Sequence, residues 1–423
     1  MSPFPPEHPQ RRQLNDEVHA RPYELLAVPV RLLHYACLSD DPAAERALLA
    51  ELCATAGAPA PATDVNFLRL ELDGCRLRWE RHTEFSSWTL VLPGPFSAPF
   101  ADSTESPPCA WSERLPGELL VALKLAVEPQ GTPARSLVEL GALFASNTVA
   151  GSRVTDGAAE AWTDYQVHAD GHGWILVRDL DLRQRQAGRL VQRLLEMETY
   201  RMLALLGLPA ARAHSRELAN LDGELAELTE RINGLREAAE ERTLLEALTR
   251  LAARVEHVVA TTNYRFSATA AYAELIQRNI AQLREQRLPG LQLFAEFTER
   301  RLAPAVRTCE SVAARLEALS TRVSRASDLL RTRIDIGIAA QNRDLLASMD
   351  RRARLQLRLQ QTVEGLSIVV LSYYGVGLVG YLAKGLKGAG VPLDSDLVTG
   401  VAVPLVIGAV FAGMHRLRKR AGH

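Results

Sequence analysis

Cysteine is sparse and scattered in this 423-residue chain: Cys37, Cys53, Cys75, Cys109 and Cys309, with no CxxC pair among them. That argues against a disulfide framework and a cysteine-rich zinc site, and fits a reducing compartment. Neither sign of charge dominates, since 49 Lys and Arg oppose 50 Asp and Glu for a net charge of -1. The whole chain is therefore no polycation built for nucleic acid. The first thirty residues hold no long apolar core behind a basic start, so no signal peptide is expected. GxxxxGK[ST], HExxH, GxSxG and EF-hand loops are all missing, and with them the usual machinery of nucleotide hydrolysis and zinc proteolysis. No enzyme is expected. Gly375–Gly380 does match GxGxxG letter for letter. It lies inside an apolar helical run with no strand before it, so the dinucleotide reading fails.

What is present is an ordinary globular composition, 47% hydrophobic and 23% charged, with room for two or three units. Residues 1–20 are polar and Pro-rich and read as a loose arm. From Leu25 to Val177 short apolar runs alternate with Gly, Pro and Asp. Strands are predicted at Leu25–Leu38, Phe67–Leu72, Cys75–Trp79, Trp88–Leu92, Leu120–Val127 and Trp174–Val177, and a helix at Ala43–Ala54. Asp73-Gly74 supplies the dipeptide of a tight hairpin, and 93–118 reads as an exposed loop. The expected fold is an α+β or α/β cytoplasmic domain over 1–180.

From Leu182 the period becomes helical. Leu221, Leu225, Leu228, Ile232 and Leu235 form a heptad seam. Leu244, Leu248, Leu251, Val255 and Val258 form a second, and Val312, Leu316, Leu319, Val323 and Ala326 a third. A helical coiled-coil or bundle region is expected over 181–303, with breaks at a capping box (Thr243, Glu246) and at Pro289-Gly290. A stalk helix follows over 304–364. No proline occurs from Val306 to Val391, so one helix of roughly 120 Å fits 305–383. Two readings stay open, an antiparallel bundle within one chain and a stalk that packs in an oligomer.

Two uncharged runs close the chain, nineteen residues at Gly365–Ala383 and eighteen at Leu397–Met414. The first gives roughly 28 Å of helix, enough for a hydrocarbon core. A transmembrane hairpin is expected over 365–414, its spans 365–383 and 397–414, with a basic tail at 415–423. Arg351, Arg352, Arg354 and Arg358 precede the first run, and Arg416, Arg418, Lys419 and Arg420 follow the second. The positive-inside rule then puts both flanks in the cytoplasm of a bacterial inner-membrane protein. On the first span Gln360, Glu364, Ser367, Leu371, Gly375 and Leu378 share a face, with Tyr374 at its edge. A polar stripe there faces protein or water, and these seven are the pore-lining candidates. In a ring of copies Glu364 would form an acidic collar; alternatively it pairs with a nearby arginine in the headgroup region. Gly400, Pro404, Gly408 and Ala412 are expected to form a small-residue ridge against the first span.

Three polar clusters stand out in the N-terminal part. Glu17 with His19, and His82 with Glu84, are i,i+2 pairs that an extended strand would put on one face. Each pair could offer two ligands to a divalent cation, the one cofactor class these residues suggest; the alternative is a polar strand face or a salt-bridged turn. The third cluster, Asp156, Glu160, Asp164, His168, Asp170 and His172, is acidic enough to attract cations; the favoured reading is a solvated turn between elements.

Four stretches are familiar as a set: Leu14–Pro22 (LNDEVHARP), Arg78–Trp88 (RWERHTEFSSW), Val154–Tyr165 (VTDGAAEAWTDY) and Gln341–Ser367 (QNRDLLASMDRRARLQLRLQQTVEGLS). Together they resemble a bacterial family of uncharacterized membrane-anchored proteins with a domain of unknown function, over nearly the whole chain. That resemblance brings no activity. The layout, a cytoplasmic domain leading through a long helix to two C-terminal spans and a basic tail, also resembles CorA-type magnesium channels. Those are pentamers whose first span lines the pore and ends in Tyr-Gly-Met-Asn. Tyr374-Gly375-Val376-Gly377 is the nearest match, and the Asn is absent. The resemblance implies a homo-oligomer in a lipid membrane that conducts a cation under control of its cytoplasmic domain. The rival expectation is a membrane-anchored scaffold or sensor.

Overall fold

The computed structural model describes residues 7–12, 14–15, 23–63, 65–101, 107–235, 238–388 and 394–421. It divides into two compact units, one of 1–234 with 246–327 and one of 235–245 with 328–423.

The first unit is built on a nine-stranded mixed sheet. Its strands are β1 (Val30–Leu38), β2 (Phe67–Leu72), β3 (Cys75–Arg81), β4 (Phe85–Pro93), β5 (Glu118–Glu128), β6 (Ala150–Val154), β7 (Ala159–Thr163), β8 (Gly173–Asp179) and β9 (Gln286–Arg287). They lie in the order β2-β3-β4-β1-β5-β8-β7-β6-β9. Every named pairing is antiparallel except β5 with β8, so of the two expected classes the sheet is that of an α+β domain. The β2–β3 hairpin turns at Asp73-Gly74, where Gly74 takes φ +73°, a conformation that costs a residue without Cβ little.

Helices α1 (Pro42–Thr55) and α2 (Leu137–Leu143) lie between strands, while α3 (Gln184–Leu205) follows β8. Alternation along β1 sends Val30, Leu32 and Ala36 into one core with Leu190, Val191, Leu194 and Leu195 of α3. Leu33 and Tyr35 go to the opposite face, where Leu48, Leu49 and Leu52 of α1 meet Trp79 and Trp88. Of the span expected as loop, Pro107–Arg114 forms a 3-10 helix, and Trp111 joins that second core. The apolar pattern did not predict β6 and β7; Ala150 and Val154 of β6 join the first core, and Trp162 of β7 meets Ala126 of β5 and Leu176 of β8 in a third cluster.

Long helices follow: α4 (Gly207–Gly234), α5 (Ala238–Leu283), the short α6 (Phe294–Arg301), α7 (Ala303–Gly388) and α8 (Ser395–Ala421). Within the first unit α4 runs antiparallel to α5 and parallel to α7. Arg254 Nη1 reaches Glu224 at 2.6 Å, Arg322 Nη1 reaches Asp222 at 2.8 Å, and Ser320 Oγ donates to Glu256 at 2.6 Å. Most residues of the three apolar rows, Leu221, Leu225, Leu228, Leu248, Leu251, Val255, Leu316, Leu319 and Val323 among them, are buried, and Ile232 and Ala326 are half-buried. The expected break at Thr243 does not occur, because α5 passes straight through it with Leu244 and Leu248 buried. The break at Pro289-Gly290 does occur, with Gly290 at φ +79°.

In the second unit α7 and α8 carry the two helical stretches long and apolar enough to cross a membrane, and most of those residues are exposed. A Cβ on Gly375 would come within 2.7 Å of Val406, and one on Gly380 within 3.5 Å of Thr399. The two helices therefore touch there, in opposite directions. The face of α8 that faces α7 holds Ser395, Thr399, Ala402 and Val406. Gly400, Pro404, Gly408 and Ala412 are exposed instead, with nothing near the Cβ positions of Gly400 and Gly408. The expected ridge thus points away from α7, because the contact follows the neighbouring 3-4 row of the helix.

Candidate functional site

The sheet's α3 face carries a polar row where the alternation predicts apolar residues. Register places Arg78 of β3 opposite Thr89 of β4, and Thr89 opposite His34 of β1. Above them α3 presents Gly188, Gln192, Glu196 and Thr199, spaced 4, 4 and 3 and so on one helix face. Together with Glu80, His82, Phe85 and Tyr200 these residues line a cavity of about 60 Å³, enough for a water or a very small ligand.

His34 is fixed at both nitrogens, Nδ1 lying 2.8 Å from Thr89 Oγ1 and Nε2 lying 3.1 Å from Thr199 Oγ1. The Thr199 hydroxyl already donates to the Leu195 carbonyl at 2.9 Å. It must therefore accept from Nε2–H, and while the ring is neutral Nδ1 accepts from the Thr89 hydroxyl. Burial pushes the His34 pKa down to about 4, against a smaller upward pull from Glu80. Below pH 6.5 the unfolded chain takes up this proton and the native protein does not until about pH 4. Stability present above pH 6.5 is lost on acidification across that window, by roughly 3 kcal/mol. In His34→Gln this loss should vanish, so its denaturation midpoint should fall less between pH 6.5 and 4.5 than the wild type's. Equal slopes would contradict the buried neutral histidine.

Arg78 donates from Nε to Glu80 Oε1 at 2.8 Å and from Nη1 to Gln192 Oε1 at 3.2 Å. Gln192 donates to Glu196 at 2.7 Å, and Asn279 of α5 donates to the other Glu196 oxygen at 3.1 Å. His82 Nε2 stands 3.7 Å from Glu80 Oε2. Burial pushes the Glu80 carboxyl up, but His82 and Arg78 outweigh it and bring the pKa down to about 2. A carboxylate so acidic is a weak general base near neutrality, and His34 is locked by two threonines. The arrangement suits binding better than proton transfer. His82 stacks on Phe85 at 4.2 Å, and both residues, with Tyr200, also line an outer pocket bounded by Asn66, Arg81, Thr83 and Tyr272.

Of the predicted metal ligands, Glu17 and His19 lie outside the described residues. His82 and Glu84 do not share a strand face, since β3 ends at Arg81 and β4 begins at Phe85. His82 turns to Glu80, while Glu84 pairs with Arg265 of α5 and accepts from Tyr264 Oη at 3.4 Å. Among the described residues no group of three or more His, Cys, Asp or Glu is placed to hold a metal ion.

The acidic cluster also comes apart. Asp156 pairs with Arg284, and Glu160 with Arg153 and Arg178. Asp164 is buried, accepting from Asn147 at 2.8 Å with His168 Nε2 at 3.0 Å. His168 lies flat on Trp174 at 3.5 Å. Asp170 holds buried Lys124 at 2.7 Å and takes hydrogen bonds from Trp174 and the His172 backbone. Burial raises the Asp170 pKa, and these three partners lower it further than burial lifts it. The segment is a locked turn rather than a solvated one.

On α7 the seven pore-lining candidates divide. Gly375 sits against Val406, whereas Leu371, Tyr374 and Leu378 are 51%, 66% and 64% exposed. Gln360 is exposed and Ser367 half-buried. Glu364 is half-buried and accepts a 3.4 Å hydrogen bond from Gln360.

The family described as "Protein of unknown function (DUF3422)" matches residues 6–421. The chain belongs to that family. All four stretches singled out in the sequence fall inside the match, which carries no activity with it and adds nothing to the architectural likeness to CorA-type channels. No curated protein matches the chain. The His34–Arg78–Glu80 site was only partly legible: His82 stood out at its edge, whereas His34 and Thr199 are 165 residues apart. A histidine on the inward phase of an apolar strand was the available signal.

Proposed function

We propose that the protein is a bacterial inner-membrane-anchored scaffold or sensor. α7 and α8 form a two-span hairpin over 365–383 and 397–414, both flanks lie in the cytoplasm, and the sheet domain works there. The observation that carries this reading is the pair of exposed apolar helices flanked on one side by basic residues and joined by a short connection. The buried heptad rows support coiled-coil packing of the long helices. Leu345, Leu346, Met349, Leu355 and Leu359 on α7 are exposed in the single chain, which favours a homo-oligomer. In this reading the cavity beside His34 takes the sensed ligand.

A second reading, a cation channel regulated by the cytoplasmic domain, draws on one observation. Most of the Gln360–Leu378 stripe is not consumed by contact with α8, so copies of α7 could turn it toward a shared axis. Purified protein in potassium-loaded liposomes separates the two. The scaffold reading predicts efflux no faster than from protein-free liposomes. Efflux that Glu364→Ala abolishes, from a particle of four or more copies by light scattering, overturns it in favour of the channel.

A further inference from the structure

Before its apolar run, α7 carries a heptad pattern whose apolar side is exposed. With Asn342 at position a, Ile338, Leu345 and Leu359 fall at d, and Met349 and Val363 at a. Leu346 at e and Leu355 at g flank that row. Nine large apolar side chains are exposed between 336 and 363, and these are seven of them, each more than half exposed. Charge keeps to the other side of the helix. Of the eight charged residues in 338–364, seven stand at b, c or f, where Asp350 and Arg354 pair at 2.8 Å. A helix surface divided in this way buries its apolar stripe when it is in water.

A stripe spaced 4 and 3 interlocks with a partner that has the same repeat, and a second copy of this chain supplies one. We propose that residues 338–363 of α7 form a parallel, in-register, two-stranded coiled coil with a second copy. This rests on the membrane-anchored reading above. Two copies that enter one membrane at Gly365 run parallel, and the shared membrane level sets each residue beside its own counterpart. Every e and g position from 339 to 362 is uncharged, so no like charges meet across the flanks of the pair. Asn342 and Gln356 are polar at a, and a slip of one heptad would set them against Met349 and Val363. A polar residue at a therefore fixes the register, and Asn342 with leucine at d favours two strands. Arg352, at d, is the one charge in the seam, and its long stem lets the guanidinium reach water. Seven such apolar side chains put roughly 400–800 Å² of surface per copy into the seam, against about 800 Å² per partner in a standard interface.

The test oxidises single-cysteine variants of the full chain in isolated membranes, in a Cys109→Ser background whose other cysteines are buried. Leu345→Cys and Leu359→Cys, at d, should form disulfide-linked dimers about tenfold faster than Ala347→Cys and Gln361→Cys, because f positions stand too far apart to bridge. Purified in mild detergent, the wild type should contain two copies by light scattering. Leu345→Lys/Leu359→Lys should contain one, with the tryptophan denaturation midpoint of its sheet domain unchanged. Equal crosslinking at d and f, or a single copy of the chain in the wild-type particle, overturns the coiled coil and leaves the anchored scaffold standing. Four or more copies overturn the two-stranded seam, and efflux that Glu364→Ala abolishes overturns the scaffold reading as well.

Discussion

Gly188→Ala is expected to destabilise the sheet domain by about 2 kcal/mol, although Ala is the better helix former by up to ~1 kcal/mol. A Cβ at this position of α3 would lie 1.7 Å from the Glu24 carbonyl oxygen. That oxygen belongs to the backbone of the segment entering β1, and Glu24 is itself held by Arg69 at 2.8 Å and Arg76 at 3.1 Å. The segment cannot retreat without breaking those pairs, so the clash wins over propensity. Gly223→Ala in α4 is the control, because nothing lies within 4 Å of its Cβ position. It should leave stability unchanged or raise it slightly. The check is the denaturant midpoint read from tryptophan fluorescence, since Trp79, Trp88 and Trp111 all sit in this domain's core. A Gly188→Ala midpoint at or above wild type would mean that α3 and the entering segment are not packed as described.

Arg78→Ala should be more damaging, at about 3–5 kcal/mol. The side chains of Arg78 and Glu80 are 10% and 12% exposed, so removing the guanidinium strands a carboxylate away from water. It also removes the donor to Gln192, and through Gln192 the support of Glu196. Arg78→Lys should recover part of the loss, because one ammonium cannot serve both Glu80 and Gln192 in the arginine's planar geometry. The double variant Arg78→Met/Glu80→Gln should be more stable than Arg78→Ala, since no buried charge is then left unpaired. A single Arg78→Ala variant within 1 kcal/mol of wild type would show that water reaches Glu80 freely.

Local pattern made much of this fold legible. Asp73-Gly74 between two alternating runs announced the β2–β3 hairpin, and strict 3-4 spacing announced the rows on α4, α5 and α7 that are buried in the structure. The misses have physical causes. β6 (AGSRV) and β7 (AEAWT) are five residues each and together half Ala, Gly or Ser, so neither shows a run of apolar alternation; β7 is made a strand by pairing with β8, and β6 by pairing with β7. Thr243 with Glu246 has the letters of a capping box, but burial of Leu244 and Leu248 carries the helix through. The ridge of Gly400 to Ala412 and the true contact row on α8 are both plausible by spacing, and only packing chooses between them. The site around His34 depends on a row across three strands and on one face of α3, and no linear motif encodes that.

Under the proposed topology residues 365–414 cross a membrane twice and leave the sheet domain and the tail in the cytoplasm. Cysteine accessibility in intact cells tests it most directly, in a Cys109→Ser background whose other cysteines are buried. Asp394→Cys should react with a membrane-impermeant maleimide added outside, and Leu14→Cys should react only after the membrane is permeabilised. Labelling of Leu14→Cys from outside, or protection of Asp394→Cys until permeabilisation, would contradict it.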